Sequence, residues 1–138
     1  MKMWCIPIVA LTALVVGAPA RGADEGKDKK DVPKLTVEEF DKKRKEKDTV
    51  VLDVRTPEEF KAGHVPGAVN LDIGDENFDK KVEKLDKDKT YIVHCARGGR
   101  SARAAAKMKS NFANLYDFSG GMTAWQKAGK PVEKTPEK

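Results

Sequence analysis

The chain has little cysteine or histidine: two of each in 138 residues. Cys5 sits beside an apolar run near the start, and Cys95 stands alone in the rest. Cys95, His64 and His94 are too few to make a four-ligand structural zinc site, so no metal is expected. Aromatic residues make up only 7% of the chain, and no stripe of arginine alternates with them. The net charge of +5 is spread over lysine-rich stretches interleaved with Asp and Glu. That pattern describes a solvated surface and argues against nucleic acid as a partner. No internal repeat is visible.

What is present begins with an export pattern. Lys2 supplies a charged start, Ile6 to Val16 is almost entirely apolar, and Ala18-Pro19-Ala20 supplies small residues where a signal peptidase cuts. We expect a signal peptide over residues 1–20, cleaved after Ala20, and a periplasmic or secreted protein. The run is too short for a stable membrane span after processing, and an uncleaved N-terminal anchor is the alternative. Cys5 precedes the run instead of following it, which argues against a lipoprotein. Cleavage would leave Cys95 as a single cysteine, unable to form an internal disulfide. An unpaired cysteine in an oxidising compartment invites oxidation unless it is buried or used.

Residues 21–31 are Gly, Asp, Glu and Lys with almost nothing to bury, which predicts a flexible charged linker. One domain is expected over 32–132 and a disordered tail over 133–138. Within the domain, short β-rich runs alternate with helical patterns. Val32–Leu35 reads as a short edge strand, followed by Val50–Val54, Val69–Leu71, Tyr91–Val93 and Leu115–Phe118. Thr36-Val-Glu-Glu39 and Thr56-Pro-Glu-Glu59 are capping boxes that start helices, the second with Pro57 at the first helical position. Val37 and Phe40 would face the core. Phe78, Val82 and Leu85 mark a third helix. Ala102, Ala105, Met108 and Phe112 mark a fourth, and Met122, Trp125 and Ala128 a fifth. Alternation of this kind predicts an α/β fold with a parallel sheet covered on both faces.

In such sheets the ligand site lies outside the carboxyl ends of the strands. Cys95 lies at the carboxyl end of the Tyr91–Val93 run, before a loop with Gly98 and Gly99 and the start of a helix. Loop N–H groups, the helix N-terminus and the charges of Arg97 and Arg100 all favour thiolate, the nucleophilic form. A lone cysteine after an apolar strand is ordinarily a small buried hydrophobe. Two arginines and two glycines in the next five residues turn the reading toward a bound anion. Of the two cations, Arg100 is the better candidate to face the anion, because it closes the loop.

Asp53 and Arg55 bracket the end of another strand and read as a charged pair bracing the cysteine loop, or as part of the Thr56 helix entry. His64, before Val-Pro-Gly, reads as a turn-bracing hydrogen-bonder. His94 alternates to the face opposite Cys95 and is a weak candidate for a base. Trp125 reads as core, with the Ser119–Met122 turn a possible rim of the site.

Four stretches, Leu52-Asp-Val-Arg-Thr-Pro-Glu-Glu-Phe60, Gly63-His-Val-Pro-Gly-Ala-Val-Asn70, Cys95-Ala-Arg-Gly-Gly-Arg-Ser101 and Ser119-Gly-Gly-Met-Thr-Ala-Trp125, together resemble the single-domain rhodanese-like sulfurtransferases. The resemblance spans about Leu35 to Val132. It implies a five-stranded parallel sheet flanked by helices. It also implies that Cys95 takes sulfane sulfur from a small anionic donor such as thiosulfate, holds it as a persulfide, and passes it to a thiol, cyanide or a protein acceptor. By motif match, the loop Cys95-Ala96-Arg97-Gly98-Gly99-Arg100, with Ser101 next, would cradle the persulfide, and no cofactor is implied. Cysteine phosphatases need one more residue between Cys and Arg than the four present here, and no Asp-bearing loop is evident to protonate a leaving alkoxide. A sulfur-carrying or protein-docking module without efficient turnover is the alternative from another class.

Overall fold

The computed structural model describes residues 31–135. Residues 1–20 and most of the 21–31 linker lie outside that range, so the signal-peptide expectation falls outside the described structure. Among the described residues no helix is long and apolar enough to cross a membrane.

Nine elements follow one another in strict alternation: α1 (Val37–Lys43), β1 (Thr49–Asp53), α2 (Pro57–Ala62), β2 (Val69–Asn70), α3 (Phe78–Glu83), β3 (Thr90–His94), α4 (Gly99–Met108), β4 (Leu115–Asp117) and α5 (Gly121–Lys127). Every strand pairing is parallel, and the order across the sheet is β2-β1-β3-β4. The two central strands, Val50–Asp53 and Tyr91–His94, are β-branched and apolar enough to be buried on both faces, as parallel sheets require. Leu52, Tyr91 and Val93 pack under α3 and α4, while Val51 and Ile92 pack under α1 and α5. Both faces are therefore covered.

Local chemistry sets the helix starts. Thr36 and Thr56 each accept the backbone N–H three residues on, and Glu39 and Glu59 reach back to the threonine N–H, so both capping boxes are complete. Phe40 is fully buried, stacked at 4.2 Å on Phe118 and edge-on at 5.4 Å to Trp125.

Three expectations are corrected. The sheet has four strands, not five. The Val32–Leu35 segment reaches β4 through one parallel bridge, Lys34 to Asp117, with Asp117 N–H donating to Pro33 O and Leu35 N–H to Asp117 O, both at 2.9 Å. The next bond upstream would need an N–H on Pro33, which proline lacks, so the ladder stops. The buried face of α4 is Ser101, Ala104, Ala105 and Met108, while Ala102 is exposed, because the helix starts at Gly99 and turns Ser101 inward. Finally, the tail does not become irregular at residue 133. Glu133 and His64 exchange two antiparallel backbone bonds of 2.8 Å, and Thr135 N–H donates to Lys61 O at 3.2 Å. The indole N–H of Trp125 donates to Pro131 O at 2.7 Å and fixes where the tail leaves α5.

Candidate active site

Cys95 follows the last residue of β3, at the carboxyl edge of the sheet, and is 1% exposed. Its side chain shares a face with Tyr91 and Val93, as the period of two dictates. After it the chain cannot continue as strand. Gly98 takes φ +106°, a conformation open to glycine, and its N–H donates to Cys95 Sγ at 3.0 Å. A Cβ on Gly98 would stand 2.5 Å from Ser119 O, so the loop also lies too close to the β4–α5 turn for any side chain there.

That turn is the loop's seat. Met122 N–H donates to Cys95 O at 2.9 Å and Thr123 N–H to Ala96 O at 3.1 Å. With those carbonyls drawn toward α5, the N–H groups of the following residues are left for the sulfur. Gly121, at φ +60°, has the Cys95 and Ala96 carbonyl oxygens 2.3 and 2.6 Å from where a Cβ would be. The second glycine of Ser-Gly-Gly is there because the loop rests on it.

Burial pushes the Cys95 thiol up. The N–H groups of Ser101, Gly98 and Arg97 oppose it, and the net effect is a thiol more acidic than usual. Ser101 is fully buried, and its hydroxyl donates to Gly98 O at 3.1 Å, which holds the loop in shape. Arg97 and Gly99 are exposed, and Ala96 is half-buried.

Arg100 does not stand free. Its Nη1 and Nη2 donate to Glu59 Oε2 and Oε1 at 2.6 and 3.0 Å, a two-pronged pair that joins the start of α4 to α2. The guanidinium, aided by Thr56 and opposed by burial, brings the Glu59 carboxyl down to about 2. Asp53 and Arg55 do form a charged pair, buried and held by contacts of 2.6 to 3.0 Å. Arg55 Nη2 also donates to Gly63 O at 2.7 Å, so the pair ties the end of β1 to the end of α2 and not directly to the cysteine loop.

His64 stacks on Phe60 at 3.8 Å, with Nδ1 2.8 Å from Phe60 O, and braces the turn. His94 is fully buried on the face opposite Cys95, between Phe40 and Phe118. Burial holds its pKa below the usual imidazole value, so the 3.9 Å approach of Nε2 to Asp53 is not an ion pair.

Two residues of this neighbourhood escape a reading of the sequence. Glu59 is legible as a helix cap, but its second role depends on a partner 41 residues away. Asp117, at the end of β4, is 3% exposed, its Oδ1 lacks a hydrogen-bond partner, and burial, only partly offset by the Ser101 hydroxyl and Lys34, raises its pKa. Nothing in Leu-Tyr-Asp-Phe announces a buried carboxylate.

The chain matches the rhodanese-like domain family over residues 36–128. It is 37% identical over 93 residues to the chloroplastic thiosulfate sulfurtransferase 16 of Arabidopsis thaliana, covering 59% of this chain and 78% of that protein. It is 35% identical over 91 residues to the thiosulfate sulfurtransferase GlpE of Pseudomonas putida, covering 65% and 80%. A rhodanese-related protein from Thermoplasma volcanium superposes with a TM-score of 0.66 at 32% identity, covering 73% of this chain and 97% of that one. Sheet order, cysteine loop and these likenesses agree, and the chain belongs to the rhodanese-like domain family, among relatives that are sulfurtransferases.

Proposed function

We propose that this chain is a thiosulfate sulfurtransferase-type enzyme that carries sulfane sulfur on Cys95 as a persulfide. The observation that carries the reading is an enclosed thiol that is nevertheless acidic, because a glycine loop turns its N–H groups onto the sulfur. In the first half-reaction the Cys95 thiolate attacks the outer sulfur of thiosulfate. A new S–S bond forms, the donor's S–S bond breaks, and sulfite leaves with the electron pair. In the second, cyanide or a thiolate attacks the terminal sulfur, and Cys95 departs as thiolate. The N–H groups that hold the thiolate can equally hold a persulfide anion. Arg97, an exposed cation two residues from Cys95, would meet the anionic donor. The leader pattern of residues 1–20 supports action in the periplasm or outside the cell.

Cyanide-dependent production of thiocyanate from thiosulfate tests the assignment. Cys95→Ser should fold with an unchanged melting temperature, within about 3 °C, and lose at least about a thousandfold in rate, since a serine hydroxyl has no low-pKa form to replace the thiolate. A variant that keeps a tenth of the activity or more would refute a Cys95 intermediate.

A further inference from the structure

We infer that Glu59 is a positioning residue of this site: it clamps Arg100, holds the Cys95 loop in its hydrogen-bonding shape, and leaves Arg97 as the cation that meets the donor. The part about the donor rests on the sulfurtransferase reading; the clamp does not.

Glu59 reaches Arg100 already oriented. Its Oε2 accepts the Thr56 N–H at 3.0 Å and the Thr56 hydroxyl at 3.2 Å, and its own N–H donates to Thr56 Oγ1 at 3.3 Å. The cap is anchored in turn, because Arg55, next to Thr56, is locked to Asp53 at the end of β1. A continuous series of bonds thus runs from the sheet through Asp53, Arg55, Thr56 and Glu59 to Arg100. The loop needs such an anchor. Between Cys95 and Arg100 it offers only Ala96, an exposed Arg97 and two glycines, and around Gly99 there is open space. Arg100 stands immediately before Ser101, whose N–H serves Cys95 and whose hydroxyl donates to Gly98 O in the loop. Glu59 takes one N–H from each terminal nitrogen of Arg100, at 2.6 and 3.0 Å, and so fixes the guanidinium in one orientation and partly neutralises its charge.

Charge and geometry make opposite forecasts, which makes the inference testable. Besides Glu59 and Arg100, the charged groups around Cys95 are Arg97 on the loop, Asp117 on β4, and Asp53 and Arg55 from β1, while His94 on β3 is neutral. Glu59→Gln deletes a negative charge and frees a positive one, so by charge alone Cys95 would become more reactive. Gln still completes a capping box, yet one amide oxygen cannot serve both Thr56 and the two prongs of Arg100. If the clamp matters, the loop loosens and Cys95 becomes less reactive. Arg100→Lys keeps the charge but loses the two-pronged grip, so charge alone leaves Cys95 unchanged while loss of the clamp slows it.

The experiment is iodoacetamide alkylation of the full-length chain as a function of pH, read by mass spectrometry on the peptide carrying Cys95 so that Cys5 does not interfere. In both variants the midpoint of alkylation against pH should move to higher pH, because the loop N–H groups no longer hold the thiolate. A midpoint moved to lower pH in Glu59→Gln, or an unchanged midpoint in Arg100→Lys, overturns the clamp. Should Glu59→Gln fail to fold, Arg100→Lys decides alone. With thiosulfate, both variants should lose kcat while KM stays within about threefold, the mark of a residue that does not bind the donor. A tenfold rise in KM with kcat kept would return Arg100 to donor binding and overturn that part. A wild-type chain that transfers no sulfur refutes the proposed activity, while the alkylation result still decides the clamp.

Discussion

Cys95 is almost wholly enclosed, and enclosure alone raises a thiol's pKa; three backbone N–H groups reverse the sign. As the proposed nucleophile Cys95 therefore needs no imidazole, which fits a His94 turned to the other face and kept neutral by burial. Arg97, exposed on the loop, is the cation proposed to meet the anionic donor. Arg97→Ala should raise KM for thiosulfate about tenfold, the size of one charge-assisted contact, with the melting temperature unchanged. An equal loss of stability and donor affinity would make it a structural residue. Asp117 gives a prediction of opposite character. Its carboxyl binds a proton more tightly in the folded chain than in the unfolded one, because burial raises it above its usual value. Such a group costs stability as pH rises through the unfolded pKa, and the cost is complete once pH exceeds the folded pKa. Asp117→Asn should therefore raise stability at neutral pH by about 1 kcal/mol, or several degrees, and gain little below about pH 4. Thermal melts of both chains at the two pH values check this; a lower melting temperature for the variant at neutral pH would show that the ionised carboxylate has a partner worth more than its burial costs.

Among the elements, the signals that were readable are local ones. Both capping boxes lie within four residues of sequence, and the structure completes each of them. The fifth strand was misread because strand propensity in Val32–Leu35 says nothing about whether Pro33 sits where the ladder needs an N–H. Ala102 was misplaced because the first turn of α4 is set by where Gly98 leaves the loop, not by apolar spacing alone. The tail pairs with His64 although its composition is that of a disordered segment, since the backbone at His64 offered it two bonds. Sequence shows the β4–α5 turn only as a rim, whereas the N–H groups of Met122 and Thr123 that follow it hold the loop by its Cys95 and Ala96 carbonyls. Gly121→Ala tests that support. Its Cβ would fall 2.3 Å from Cys95 O at a φ of +60°, so the variant should lose about 3 kcal/mol or more, a drop of at least about 10 °C in melting temperature. Near-wild-type melting would mean that the loop moves off α5 without cost.

Across the whole molecule, alternating strands and helices gave away the parallel sheet, and the sheet placed Cys95 and the Asp53–Arg55 pair along one carboxyl edge. Partnerships across that edge were not legible, because Glu59 with Arg100 and Ser101 with Asp117 meet only after the chain has crossed the sheet. If Cys95 alone carries the transferred sulfur, a reaction stopped halfway leaves that sulfur on it. The full-length chain is incubated with thiosulfate, freed of excess donor, and weighed intact. The expected result is a gain of one sulfur atom, located on the Cys95 peptide, absent in Cys95→Ser, and discharged by cyanide as thiocyanate. No gain from thiosulfate or any other sulfane donor, with Cys95 reduced and open to alkylation, would contradict it.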